Sequence, residues 1–128
     1  MRKKVLEQYY PGLHDACRRA YHKTIDAIRD VAATHGYAIA VHGSLARDID
    51  LVAIPWAEDA TDALSLVGAV IRAAAAHGPH ATAFLSKHET NPTPKPHGRL
   101  CWAIHLADGV YIDLAVMPRS FNEEKRHG

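Results

Sequence analysis

Apolar residues return at helical spacing from Leu13 to His35. Leu13, Cys17, Ala20, Tyr21, Ile25, Ile28, Val31 and Ala32 share one stripe, while Arg18, Lys23, Asp26 and Asp30 fall elsewhere. That pattern predicts an amphipathic helix lying on a core, ended by Gly36 in a left-handed conformation. Tyr37 to Val41 then reads as a short strand, and Arg47 to Ile54 as a second, stopped by Pro55. A second helix is expected to begin near Asp59 or Thr61, both suitable caps. Its stripe is Leu64, Val67, Val70, Ile71 and Ala74, and it ends at Gly78-Pro79.

Periodicity disappears over residues 86–97, where Pro92, Pro94 and Pro96 alternate with Asn91, Thr93 and Lys95. This predicts a loop, preceded by a short strand at Ala81 to Leu85. It serves as a surface connection or as a lid facing a substrate. Gly98 to Leu106 and Val110 to Met117 then read as a hairpin. A three-residue loop of Ala107, Asp108 and Gly109 puts a glycine where such turns need a left-handed residue. The register that follows sets Ile104 opposite Ile112, Trp102 opposite Leu114 and Leu100 opposite Val116. Arg99, His105 and Asp113 are left on the other face. A two-residue loop would put Asp113 across from Ile104 and mix the faces. The expected architecture is one α+β domain over residues 1–128, a small mixed or antiparallel sheet with two main helices on one face. Residues 1–12 and 119–128 are expected to be flexible ends.

Composition narrows the function classes. The chain has 128 residues, 48% hydrophobic and 23% charged, which is ordinary for a folded globular protein. Its net charge of +1 supplies no global field for nucleic acid or anionic lipid, so no extended DNA-binding surface is expected. No apolar run approaches the ~18 residues of a membrane span, and the basic start lacks the apolar stretch of a signal peptide. Cys17 and Cys101 have no short-range partner, which fits a reducing cytoplasm. Ten histidines are scattered without the paired spacing of a zinc site; the nearest two, His77 and His80, flank Gly78-Pro79.

The strongest local signal is His42-Gly43-Ser44-Leu45-Ala46-Arg47-Asp48-Ile49-Asp50-Leu51. On a strand, Asp48 and Asp50 leave the same face roughly 6.6 Å apart. Carboxylates so close repel unless one is protonated or a cation lies between them. Oxygen ligands of this kind suit Mg²⁺, or Mn²⁺ in its place. Solvated strand edges also carry Asp-x-Asp, so the pair alone is weak. Asp113 strengthens it, because an aspartate inside Tyr111-Ile112-Asp113-Leu114 is expensive unless paired or metal-bound. It either pairs with Arg99 or Arg119 or joins Asp48 and Asp50 around a metal. Gly43-Ser44, following an apolar strand, offers backbone amides and a hydroxyl to a phosphate.

A strand ending in Gly-Ser, a strand bearing Asp-x-Asp and a third Asp on a later strand together resemble the DNA polymerase β-type nucleotidyltransferase superfamily. In particular the chain is similar to its minimal, single-domain members from prokaryotes and phages, over roughly residues 37–117. The resemblance implies that Gly43 and Ser44 contact the triphosphate of an NTP and that Asp48, Asp50 and Asp113 hold two divalent metals. It places Asp113 nearer the attacking hydroxyl, as its base. The implied reaction moves a nucleoside monophosphate to a hydroxyl on a protein side chain, an RNA end or a small molecule. Only Leu45, Ala46 and Arg47 separate Gly-Ser from Asp-x-Asp, a shorter connector than the family's. The missing phosphate contacts are therefore expected from cations, first Arg99 and Arg47, then Lys87 and Lys95. Arg119 is a weaker cation candidate, and Trp56 can stack a base or cap the core edge. The rival readings are a non-catalytic binding module of the same fold, such as an antitoxin or a phage inhibitor, and a metal-dependent phosphohydrolase.

Overall fold

The computed structural model describes residues 12–87 and 90–119. The expected flexible ends lie outside these residues, apart from Gly12 and Arg119. The first helix, α1 (Leu13–Thr34), buries Leu13, Cys17, Ala20, Ile25, Ile28 and Ala32, as its periodicity requires. Thr24 joins them in the core and satisfies its hydroxyl by donating to the Ala20 carbonyl at 2.7 Å. Gly36 ends the helix at φ +87, and a Cβ there would lie 2.8 Å from the Ala60 Cα, so no larger residue fits.

Two strands follow, β1 (Tyr37–His42) and β2 (Ile49–Pro55), then α2 (Ala63–His77). The cap of α2 is Asp62, not Asp59 or Thr61; its carboxylate accepts from the Ser65 backbone N–H at 2.8 Å. Such a cap contributes about 1 kcal/mol. The buried face is Leu66, Val67, Ala69, Val70, Ala73 and Ala74, and the expected Leu64 is 68% exposed. At 100° per residue the buried face centres on Leu66 and Val70, and Leu64 lies on the far, solvent side of the helix.

The short β3 (Ala83–Leu85) appears as expected, but part of the proline-rich segment is also a strand, β4 (Thr93–Lys95). It lies at an edge, where Pro94 needs no ladder donor. The hairpin is β5 (Arg99–Leu106) and β6 (Tyr111–Val116), in the expected register, with Leu100, Trp102 and Ile104 opposite Val116, Leu114 and Ile112. Asp108 and Gly109 both take positive φ in its turn, at 63 and 76.

The strands form one six-stranded mixed sheet in the order β1-β2-β6-β5-β3, with β4 also on β5. β2 and β6 run parallel, and the other pairs are antiparallel. Both helices contribute to one core with Ile49, Leu51, Trp102, Ile104, Ile112 and Leu114. This is the α+β fold expected. The alternate residues of each strand stand on the opposite face, over which no helix among the described residues packs, and the acidic residues are there.

Candidate functional site

Strand register assembles the site. His42 pairs with Asp50, Asp50 with Asp113 and Asp113 with Ala103, which makes one row across four strands. Asp48 lies just before β2, beside the next row, where Tyr111 pairs with His105 and His105 with Phe84. One carboxylate oxygen from each of Asp48, Asp50 and Asp113 lies within 4.8 Å of the others. Asp113 therefore faces Asp50 on the uncovered side of the sheet.

Among the described residues the cluster is short of positive charge. Arg47 Nε stands 3.4 Å from Asp48 Oδ1, an ion-pair distance, yet that buried oxygen has no hydrogen-bond partner among the described residues. Arg99 lines the same open face but donates Nε to the Pro96 carbonyl at 3.0 Å, and Arg119 donates to the Ala60 carbonyl at 3.4 Å. The titratable neighbours register the deficit. The Asp113 carboxyl is pushed from 3.8 up to about 6, first by burial, then by the charges of Asp48 and Asp50 and a hydrogen bond to Asp50. Asp48 is raised by burial foremost, against the lowering pull of Arg47. Burial and Asp48 raise the Tyr111 phenol, and burial with Asp113 raises the Cys101 thiol. From the core side, the Cys17 thiol rises to about 11 through burial and the charges of Asp48 and Asp50. A buried carboxylate oxygen without a donor, beside two more carboxylates, fits a divalent cation. The three residues can hold a metal ion.

The sign of the Asp113 shift gives a pH dependence for the metal-free chain. A carboxyl that binds its proton more tightly when folded favours folding at low pH. Stability is then lost as pH rises from about 4 to about 6 and is flat above, as far as this group is concerned. In chelator at pH 7, Asp113→Asn should stabilise the fold by about 1–2 kcal/mol, allowing for solvent screening of a half-exposed group. Urea unfolding at pH 4.5 and pH 7 measures both. A wild-type stability that rises over this interval, with no gain in the variant, would contradict the charge crowding.

The remaining candidates are placed unevenly. Gly43 has φ +81, and a Cβ built on it would stand 2.7 Å from Asp50 Oδ2, so its backbone runs directly against the cluster. Ser44 is exposed, and its hydroxyl accepts from the Ala46 N–H at 3.3 Å. Lys87 and Trp56 are exposed, Trp56 by 68%. Two adjoining clefts share Thr93, Cys101, Ala103 and Asp113. One, of about 370 Å³, runs from Asp50 and Asp113 over Cys101 and Ala115 to Lys95 and Arg99. The other, of about 450 Å³, is walled by His105 and Tyr111. His42 and Tyr111 escaped the sequence reading. Tyr111 carried a signal, because it stands two residues from Asp113 on the same strand face; His42 carried none until β1 was paired with β2.

No family model, curated protein or solved structure matches the chain. Among the described residues no helix is long and apolar enough to cross a membrane.

Proposed function

We propose that the chain is a metal-dependent nucleotidyltransferase that moves a nucleoside monophosphate from an NTP to a hydroxyl acceptor. The observation that carries this reading is the cluster of Asp48, Asp50 and Asp113, with its buried unpartnered oxygen, at the head of a cleft leading to Lys95 and Arg99. Asp48, Asp50 and Asp113 are the residues that would hold Mg²⁺ or Mn²⁺. When bound, such ions polarise the α-phosphate and stabilise the leaving oxygen. In this reading Asp113 takes the proton of the acceptor hydroxyl. The acceptor oxygen then bonds to the α-phosphorus as the α–β phosphoanhydride breaks, and pyrophosphate leaves. The Gly43 backbone fixes the Asp50 carboxylate by close approach. Lys95 and Arg99 stand roughly 13 Å along β5 from the acidic row, where they neutralise the β- and γ-phosphates in place of the short Gly43–Asp48 connector. Free thiols at Cys17 and Cys101 agree with a cytoplasmic location, where NTP and Mg²⁺ are both present.

Incubation with each labelled NTP, Mg²⁺ or Mn²⁺ and a cell lysate tests the reaction and reveals the acceptor. Label transferred to one molecule supports it. Cleavage of a phosphodiester without NTP would favour the phosphohydrolase. Arg99→Ala should raise the apparent KM for NTP, with a loss on the order of 1.5–3 kcal/mol for a hydrogen bond to a charged group. An unchanged KM would remove Arg99 from the phosphate site.

A further inference from the structure

The cleft walled by His105 and Tyr111 adjoins the cationic one, sharing Thr93, Cys101, Ala103 and Asp113 with it, and adds an aromatic wall. Ala103 and Cys101 form its floor, His105 and Tyr111 one wall, and Asn91 and Thr93 the opposite rim. The wall is braced from behind. The Phe84 and His105 rings stack 5.5 Å apart at 19°, and the His105 and Tyr111 rings lie 5.8 Å apart at 35°. Asp48 precedes Ile49, which pairs with Ile112, so it stands beside Tyr111 and joins the aromatic wall to the acidic cluster. A small-residue floor between a rigid aromatic wall and an amide-bearing rim is shaped for a flat ring that exposes hydrogen-bonding edges.

We infer that this cleft seats the nucleobase of the donor nucleotide, an assignment that rests on the nucleotidyltransferase reading. The sheet lattice orders the subsites along β5. The aromatic row at His105 comes first, the acidic row at Ala103 second, the small residues at Cys101 third, and Arg99 with Lys95 last. That sequence spans roughly 20 Å. A nucleoside triphosphate has the same order of parts: ring, reacting α-phosphate, then the anionic β- and γ-phosphates. With the α-phosphate at the carboxylates and the anionic end at Arg99, the ring falls on the aromatic side. Asn91, with both a donor and an acceptor on its amide, stands where it can read the edge of the base.

The test compares binding of each NTP with binding of inorganic tripolyphosphate, in Mg²⁺ and without acceptor, by calorimetry on the full chain. One stacked base should make the preferred NTP bind about tenfold more tightly than tripolyphosphate. His105→Ala, which removes part of the aromatic wall and does not line the cationic cleft, should erase that advantage and leave tripolyphosphate binding unchanged. Asn91→Ala, on the exposed rim, should narrow the difference among the four NTPs even if His105→Ala does not fold. Equal binding of NTP and tripolyphosphate by the wild type would overturn the base seat and leave the metal–phosphate reading standing. An NTP advantage that survives both substitutions would overturn it as well. A wild type that binds neither ligand would overturn both readings together.

Discussion

Asp50→Asn is expected to abolish nucleotidyl transfer while the chain remains folded. Asp50 is the middle member of the acidic cluster, in register with Asp113 on one side and His42 on the other. Its amide replacement keeps the shape and the strand pairing but removes a ligand charge. Losing one carboxylate from a metal site forfeits several kcal/mol of transition-state stabilisation, so the rate should fall on the order of 1,000-fold or more. The same change relieves repulsion on Asp48 and Asp113, both of which Asp50 raises. The metal-free variant should therefore unfold at a urea concentration no lower than the wild type. Labelling at the wild-type rate in a folded Asp50→Asn protein would contradict the metal mechanism.

Gly43→Ala should weaken metal binding without touching a ligand. The backbone at Gly43 has φ +81, a conformation in which alanine is strained by roughly 1–2 kcal/mol. Its Cβ would stand 2.7 Å from Asp50 Oδ2, closer than any real contact of that kind. The carboxylate or the turn between β1 and β2 must shift, and either movement spoils the convergence of the three oxygens. Disturbing a group that orients a ligand lowers metal affinity about 10–100-fold. Mn²⁺ titration of both proteins measures the ratio, and unfolding curves separate it from the strain. Equal Mn²⁺ affinity would show that Gly43 does not position Asp50.

Much of this geometry was legible in the sequence because alternation on a strand is strict. The β5–β6 register followed from matching apolar faces across a three-residue turn, and it put Asp113 on the uncovered face. Asp48 and Asp50 were tied to one face by their spacing. What could not be read was the parallel pairing of β2 with β6, which sets Asp50 beside Asp113, because no local pattern encodes which non-sequential strands become neighbours. β4 was missed since Thr93, Pro94 and Lys95 are all exposed, so an edge strand there carries no apolar alternation. The Asp62 cap was not read: Asp59 and Thr61 were the candidates, and backbone placement, not residue type, makes the next residue the cap. The unequal roles of Arg47 and Arg99 also needed the structure. Arg47 is already beside Asp48, whereas Arg99 stands at the far end of a cleft.

The account turns on whether this acidic cluster binds metal and nucleotide together. Calorimetry on the wild-type chain at pH 6.5, first with Mg²⁺ and then with an NTP in saturating Mg²⁺, addresses that directly. The account predicts Mg²⁺ binding accompanied by release of a fraction of a proton, since Asp113, pushed up to about 6, is still partly protonated at this pH. It further predicts NTP binding that disappears when Mg²⁺ is chelated and in Asp113→Asn. Mg²⁺ binding with no NTP binding at millimolar concentration would contradict the account and leave a binding module in its place.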